Sequence, residues 1–155
     1  MVRSSFDPDH APEVARSTVR YSLYLHDTPA DPASLTRLGA AWNHPLILIP
    51  ANLQTGDAPP RDGYVRVLTP NVVLTALKRA DDGKGLIMRL VEMNGEDTEA
   101  MVEISPWLLN GLEPALLVDL MERPNGGACH RLSQTLAVPI KANSFATVRF
   151  QQEKQ

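Results

Sequence analysis

Apolar and polar positions alternate along this chain in short runs with two different periods. Over residues 18–26, Val19, Tyr21, Leu23 and Leu25 fall on one side and Arg20, Ser22 and Tyr24 on the other. That period of two predicts a strand with one buried face and turns Tyr24 outward. The period changes at Asp31-Pro32, a helix N-cap followed by proline at the first helical position. Leu35, Leu38 and Trp42 then recur at i, i+3 and i+7, which predicts a one-sided helix of about three turns with Trp42 packed in the core. Asn43-His44-Pro45 stops it, because proline disfavours helix in the residue before it. Residues 46–49 are wholly apolar and predict a short strand. Residues 51–63 carry Gly56, Pro59, Pro60 and Gly63 and predict an exposed loop.

The second half is more regular. Strands are predicted over 64–68, 72–79, 86–93, 99–105, 115–122, 131–140 and 144–150. Asp81-Asp82-Gly83-Lys84-Gly85 reads as a hairpin turn, with glycines where positive φ is needed, and Asn94-Gly95 as the next turn. Lys78 and Arg89 are expected to face each other across that hairpin, with Glu92 in a surface ion pair. Together these make an all-β chain, an antiparallel β-sandwich of roughly nine strands with one short helix. No break in composition divides it. A single domain over 1–155 is expected, with a polar lead-in loop over 1–17 (containing Phe6-Asp7-Pro8-Asp9-His10) and a polar tail over 151–155.

Composition narrows the functions. The chain has 155 residues, long enough for one real hydrophobic core. Its 15 basic and 18 acidic residues are interspersed, with a net charge of −3. No Lys/Arg stripe offers an electrostatic footprint for nucleic acid. Apolar runs such as 46–49 are far too short to span a bilayer, so no membrane partner is expected. Met1-Val2-Arg3 leads into a polar stretch instead of a signal-peptide core. The one cysteine, Cys129, cannot form an intramolecular disulfide, which is compatible with a reducing compartment. A cytoplasmic location is the resulting expectation.

Chemistry is hard to place on this sequence. The acidic residues between Asp81 and Glu103 sit in turns or alternate along strands and read as a solvated hairpin. Asp81-Asp82-Gly83 lacks the regular oxygen-ligand spacing of a calcium loop. His10, His26, His44 and His130 form no zinc-ligand motif. His130 directly follows Cys129, but neighbours on a strand point to opposite faces, so the pair is not a nucleophile with its base. No catalytic, cofactor-binding or metal-binding residue is therefore assigned, and no cofactor is expected in this chain. Exposed aromatic rings can stack on the C–H face of a sugar, which leaves Tyr24 and Trp107 as candidate contacts with a sugar or a partner. Trp107 lies in the apolar segment Ser105-Pro106-Trp107-Leu108-Leu109, beside the turn residues Asn110-Gly111 and Pro114. That segment either docks onto a partner or caps one end of the sandwich.

Several segments, taken in order, resemble the C-terminal domain of family-38 glycoside hydrolases, the α-mannosidases. They are Arg20-Tyr21-Ser22-Leu23-Tyr24-Leu25-His26-Asp27, Ala41-Trp42-Asn43-His44-Pro45-Leu46, and the long hairpin from Asn71-Val72-Val73-Leu74-Thr75-Ala76-Leu77-Lys78-Arg79 through Asp82-Gly83-Lys84-Gly85 to Arg89-Leu90-Val91-Glu92. Val118-Asp119-Leu120-Met121-Glu122 and Phe145-Ala146-Thr147-Val148-Arg149-Phe150 continue the order. The hairpin is the most specific match. Leu25 stands where the family often has proline. In that family the aspartate nucleophile and the zinc ligands belong to an N-terminal barrel, and nothing in this chain matches them. The resemblance implies a non-catalytic sandwich that packs against a parent catalytic domain, where zinc would reside, and helps frame a carbohydrate-binding cleft. The alternatives are a free-standing carbohydrate-binding module, or a docking module that binds no sugar and can self-associate.

Overall fold

A computed structural model of the chain describes residue 16 and residues 18–53, 55–57, 59, 61–109 and 112–152. The predicted lead-in loop, residue 16 aside, the Asn110-Gly111 turn and residues 153–155 of the tail lie outside the described residues.

The first helix forms where its cap predicts. Asp31 Oδ2 accepts the Ser34 N–H at 2.8 Å and proline occupies the first turn of α1 (Pro32–Asn43). The burial expected of this helix is overturned. Only Ala33 is buried in α1, Leu35 and Leu38 are exposed, and Trp42 is 53% exposed. What ties α1 to the rest is Arg37, whose Nη2 donates to the carbonyls of Pro70 at 2.6 Å and Val72 at 2.7 Å. The strands predicted over 18–26 and 46–49 do not form either. A strand needs a hydrogen-bonded neighbour, and no described sheet reaches these residues. Val19, Tyr21, Leu23, Leu25 and all of Leu46, Ile47, Leu48 and Ile49 remain in solvent.

From residue 65 onward the chain is a sandwich. Strands β1 (Val65–Val67), β4 (Thr98–Ile104), β8 (Thr135–Ile140) and β7 (His130–Leu132) make one sheet in the order β1-β4-β8-β7. Strands β2 (Val72–Arg79), β3 (Leu86–Glu92), β9 (Phe145–Gln152), β5 (Leu112–Val118) and β6 (Pro124–Ala128) make the other, in the order β2-β3-β9-β5-β6. Every pairing is antiparallel. Alternate residues from the facing sheets fill the space between them: Ala100, Val102 and Ile104 of β4 and Leu136, Val138 and Ile140 of β8, against Met88 and Leu90 of β3 and Val148 and Phe150 of β9. This is the two-layer solution for sheets that each carry one apolar face.

Turn chemistry sets the strand ends. Gly83 (φ 73°) and Gly85 (φ 121°) both have positive φ in the β2–β3 hairpin. The register shifts between Leu74 and Ala76, so Arg89 lies opposite Ala76 and Lys78 opposite Ile87. The expected Lys78–Arg89 juxtaposition is thus corrected by a bulge. Lys78 instead reaches Asp81 and the buried Glu122, the latter at 2.6 Å. Strand β5 stops at Val118 because Asp119 Oδ1 accepts the N–H groups of Met121 at 2.8 Å and Arg123 at 2.9 Å. The turn they build returns the chain as β6. The stretch 131–140, read as one strand, is two, broken at Ser133 (φ 58°).

Glu92 is also corrected, from a surface residue to a buried one at 2% exposure. Its Oε1 accepts from Asn71 Nδ2 and the Asn94 N–H, each at 2.8 Å. Its Oε2 accepts the N–H groups of Gly95 at 2.9 Å, Glu96 at 3.2 Å and Asn143 at 2.9 Å. Burial by itself raises its pKa, but these bonds outweigh it and hold the carboxyl at about 2. The residue sits where two connections change sheets, β3 to β4 and β8 to β9. A buried carboxylate in five hydrogen bonds satisfies both corners without a cation.

Candidate functional site

The two candidate aromatics lie in different places. Trp107 belongs to α2 (Pro106–Leu109), a single turn after β4. Ser105 builds this turn: its N–H donates to the Tyr64 carbonyl at 2.9 Å and its carbonyl accepts the Leu108 N–H at 3.0 Å. Its hydroxyl donates to Asp62 Oδ2 at 3.0 Å and accepts the Trp107 N–H at 3.3 Å. Leu108 packs against the core, while Trp107 is 49% exposed. The choice between capping and display is therefore divided between neighbours, since adjacent residues on a helical turn face different ways.

In front of Trp107 lies a groove of about 570 Å³. Edge strand β1 and strand β4 form one wall, where Arg66 and Glu103 are register partners. Arg66 Nε donates to Glu103 Oε2 at 2.8 Å and its Nη2 reaches the same oxygen. Arg61, Asp62 and Gln134 complete the polar lining. Two cations and two carboxylates balance there.

Tyr24 lies on the segment that leads into α1. Its ring stacks on His26 with centroids 5.8 Å apart and planes 21° from parallel, and His26 Nδ1 lies 2.6 Å from the Thr28 carbonyl. Beside it, Tyr21, Leu23, Leu35, Leu38 and Trp42 line an apolar cleft of about 580 Å³. This cleft is the face that sequence periodicity assigned to a core. The groove at Trp107 had no comparable signal, because Asp62, Arg66, Glu103 and Gln134 converge only through strand pairing.

Reactive chemistry is sparse. Among the described residues no group of three or more His, Cys, Asp and Glu is placed to hold a metal ion, and no helix is long and apolar enough to cross a membrane. Asp82 is bonded to Arg149 and to the Lys84 N–H, which lower its pKa. Asp97 is bonded to Lys141 and to the Ala142 N–H, with the same effect. Cys129 is half-buried, its Sγ lies 3.0 Å from the Ala115 carbonyl, and burial pushes its thiol pKa up. A thiol held protonated in this way is a poor nucleophile.

Comparison with known families matches residues 71–147, about half of the chain, to the glycosyl hydrolases family 38 C-terminal beta sandwich domain. No curated protein and no solved structure gives a significant match. The matched stretch starts just ahead of β2 and ends within β9, so it takes in most of both sheets. Through this sandwich, the chain belongs to the family 38 C-terminal β-sandwich domains.

Proposed function

We propose that this chain is the non-catalytic C-terminal domain of an α-mannosidase-like glycoside hydrolase. In this reading it packs on the catalytic domain through residues 18–53 and turns part of its sandwich toward the carbohydrate cleft. The observation that carries the reading is the apolar surface of that arm. Thirteen large apolar side chains between Val19 and Leu53 are exposed. At about 25 cal/mol per Å² and about 1.5–3 kcal/mol for burying one such side chain, each stands for roughly 60–120 Å², so together they present on the order of 1,000 Å². The largest patch on an ordinary monomer is about 300–600 Å², and a stable interface takes about 800 Å² from each partner. The strand-like alternation of Val19, Tyr21, Leu23 and Leu25 also fits pairing with a sheet edge supplied by that partner.

The acidic residues support a non-catalytic role. Glycoside hydrolysis uses two carboxyl groups facing each other across the scissile bond. Here Asp81, Asp82, Asp97 and Glu103 are each paired with a cation in a turn or across strands, and Glu92 is enclosed. Zinc would belong to the catalytic partner.

The test mixes the 155-residue chain with a separately produced family 38 catalytic region and follows the complex by sedimentation velocity. A stoichiometric complex is expected, abolished by the double substitution Leu46→Ser and Leu48→Ser with the melting temperature unchanged. The chain alone should not hydrolyse an aryl α-mannoside. Turnover by the pure chain, or a complex indifferent to the double substitution, would overturn the reading.

A further inference from the structure

We propose that the groove beside Trp107 is a binding site for a neutral hexopyranose. The proposal deepens the carbohydrate side of the preceding reading and rests on it for the choice of sugars. Three observations carry it.

The first is a tryptophan ring held partly in solvent by a fixed support. Ser105 bonds to residues on both sides of the turn, and Leu108 anchors the turn in the core. A turn fixed before binding leaves only the rotation of the ring to be lost when a ligand arrives, and an indole face is the natural complement of the C–H face of a pyranose. The second is the volume, about 570 Å³, inside the range of small-molecule sites. The third is the polar lining. Arg66 and Glu103 are locked together by strand register, and Asp62 is held by Ser105 and by the Gly63 N–H at 2.8 Å. Planar groups of this kind donate to and accept from vicinal hydroxyls in pairs. The balance of charge, Arg61 and Arg66 against Asp62 and Glu103, selects against phosphorylated or sulfated sugars and against cations, and favours an uncharged polyol.

The experiment uses the full 155-residue chain carrying Trp42→Phe, which leaves Trp107 as its one tryptophan. Methyl α-mannopyranoside and methyl α-glucopyranoside are titrated to about 50 mM, which covers the millimolar affinities of a shallow site. Tryptophan emission and saturation-transfer NMR on the glycoside protons are both recorded. A saturable emission shift is expected, with transfer to the C–H protons of one ring face. In otherwise wild-type chains, Trp107→Ala and Glu103→Gln should each weaken NMR-detected binding at least about tenfold while keeping the wild-type melt. Glu103→Gln keeps the side-chain size and serves if Trp107→Ala fails to fold. No saturable response to either glycoside, binding undiminished in both variants, or a saturable response to inorganic phosphate would overturn the site. Docking of Trp107→Ala to the catalytic region is measured separately. Intact docking with no sugar bound removes the sugar site alone, and sugar binding by a chain whose docking is absent, or is indifferent to Leu46→Ser with Leu48→Ser, removes the packing role alone.

Discussion

Replacing Gly85 by alanine tests the hairpin at its tightest point. Gly85 has φ 121°, and a β-carbon added there would lie 1.9 Å from the Phe150 carbonyl oxygen of β9. Two costs combine. The backbone conformation is one that residues with a side chain rarely adopt, which costs about 1–3 kcal/mol. The contact is with backbone in a paired strand, so the register neighbours Leu86 and Phe150 must separate, straining the Ala80 N–H bond to the Gly85 carbonyl, now 3.0 Å. Off-rotamer shifts and backbone displacements of this kind cost about 1–3 kcal/mol more. The expected loss is therefore about 3–5 kcal/mol, a large part of the 5–15 kcal/mol that holds a typical domain folded. Gly83 is the internal control. It has φ 73° with open space around its missing β-carbon, so Gly83→Ala should cost only about 1–2 kcal/mol of left-handed backbone strain. Urea unfolding measures both. With a slope of about 1–3 kcal/mol per molar, the Gly85 variant should lose at least about 1 M of midpoint, and clearly more than the Gly83 variant. Equal midpoints for the two would show that the collision with Phe150 is relieved at no cost, and the reasoning would fail.

Glu92 has its carboxyl held at about 2, below its ordinary 4.5, so it stabilises the fold fully above about pH 4.5 and loses that contribution as pH falls toward 2. Urea midpoints across this range should fall for the wild type and vary less for Glu92→Gln, and parallel profiles would contradict the assignment. Lys78→Met leaves the buried Glu122 carboxylate without its cation, so it should lower the midpoint more than Lys141→Met, whose pair with Asp97 is exposed. The double variant Lys78→Met with Glu122→Gln should recover part of the loss. Trp107→Ser should cost less than about 1 kcal/mol because the ring is half exposed, while Leu108→Ala should cost about 2 kcal/mol through lost core contacts. Thermal melts decide, and the reverse order would return Trp107 to a capping role.

The sequence predicts roughly nine strands and nine form among the described residues, but they are not the same nine. The hairpin over 72–92 was legible because alternation, an Asp-Gly turn and a second glycine all agree there. Residues 18–26 alternate just as cleanly and form no strand, because alternation reports which face wants burial, not whether a neighbouring strand exists. Strand β6 was missed for the opposite reason: Pro124-Asn125-Gly126-Gly127 carries turn residues, and every position in β6 is exposed, so pairing with β5 alone makes it a strand. The break at Ser133 had no glycine or proline to announce it. At the candidate site, the sequence nominated Trp107 but not its polar neighbours. Arg66 and Glu103 are 37 residues apart, and only the register of β1 with β4 joins them. Glu92 reads as a surface residue because carboxylates are rarely buried, and its five donors are mostly backbone groups that no pattern of side chains encodes.

The position of Glu92 also bears on the order in which the chain assembles. Its donors at 94–96 are close in sequence, but the Asn143 N–H is 51 residues away and arrives only when β8 turns over into β9. Before that moment the carboxylate stands at a strand end, in water, with little reason to be enclosed. Its full set of bonds therefore cannot be complete until that long-range closure has been made. Interactions absent from the transition state govern how fast a protein comes apart, not how fast it forms. Glu92 acts in this sense as a latch on lifetime: weakening it should leave refolding rates almost untouched while hastening unfolding, and with it cleavage by any protease that acts faster than the chain recloses.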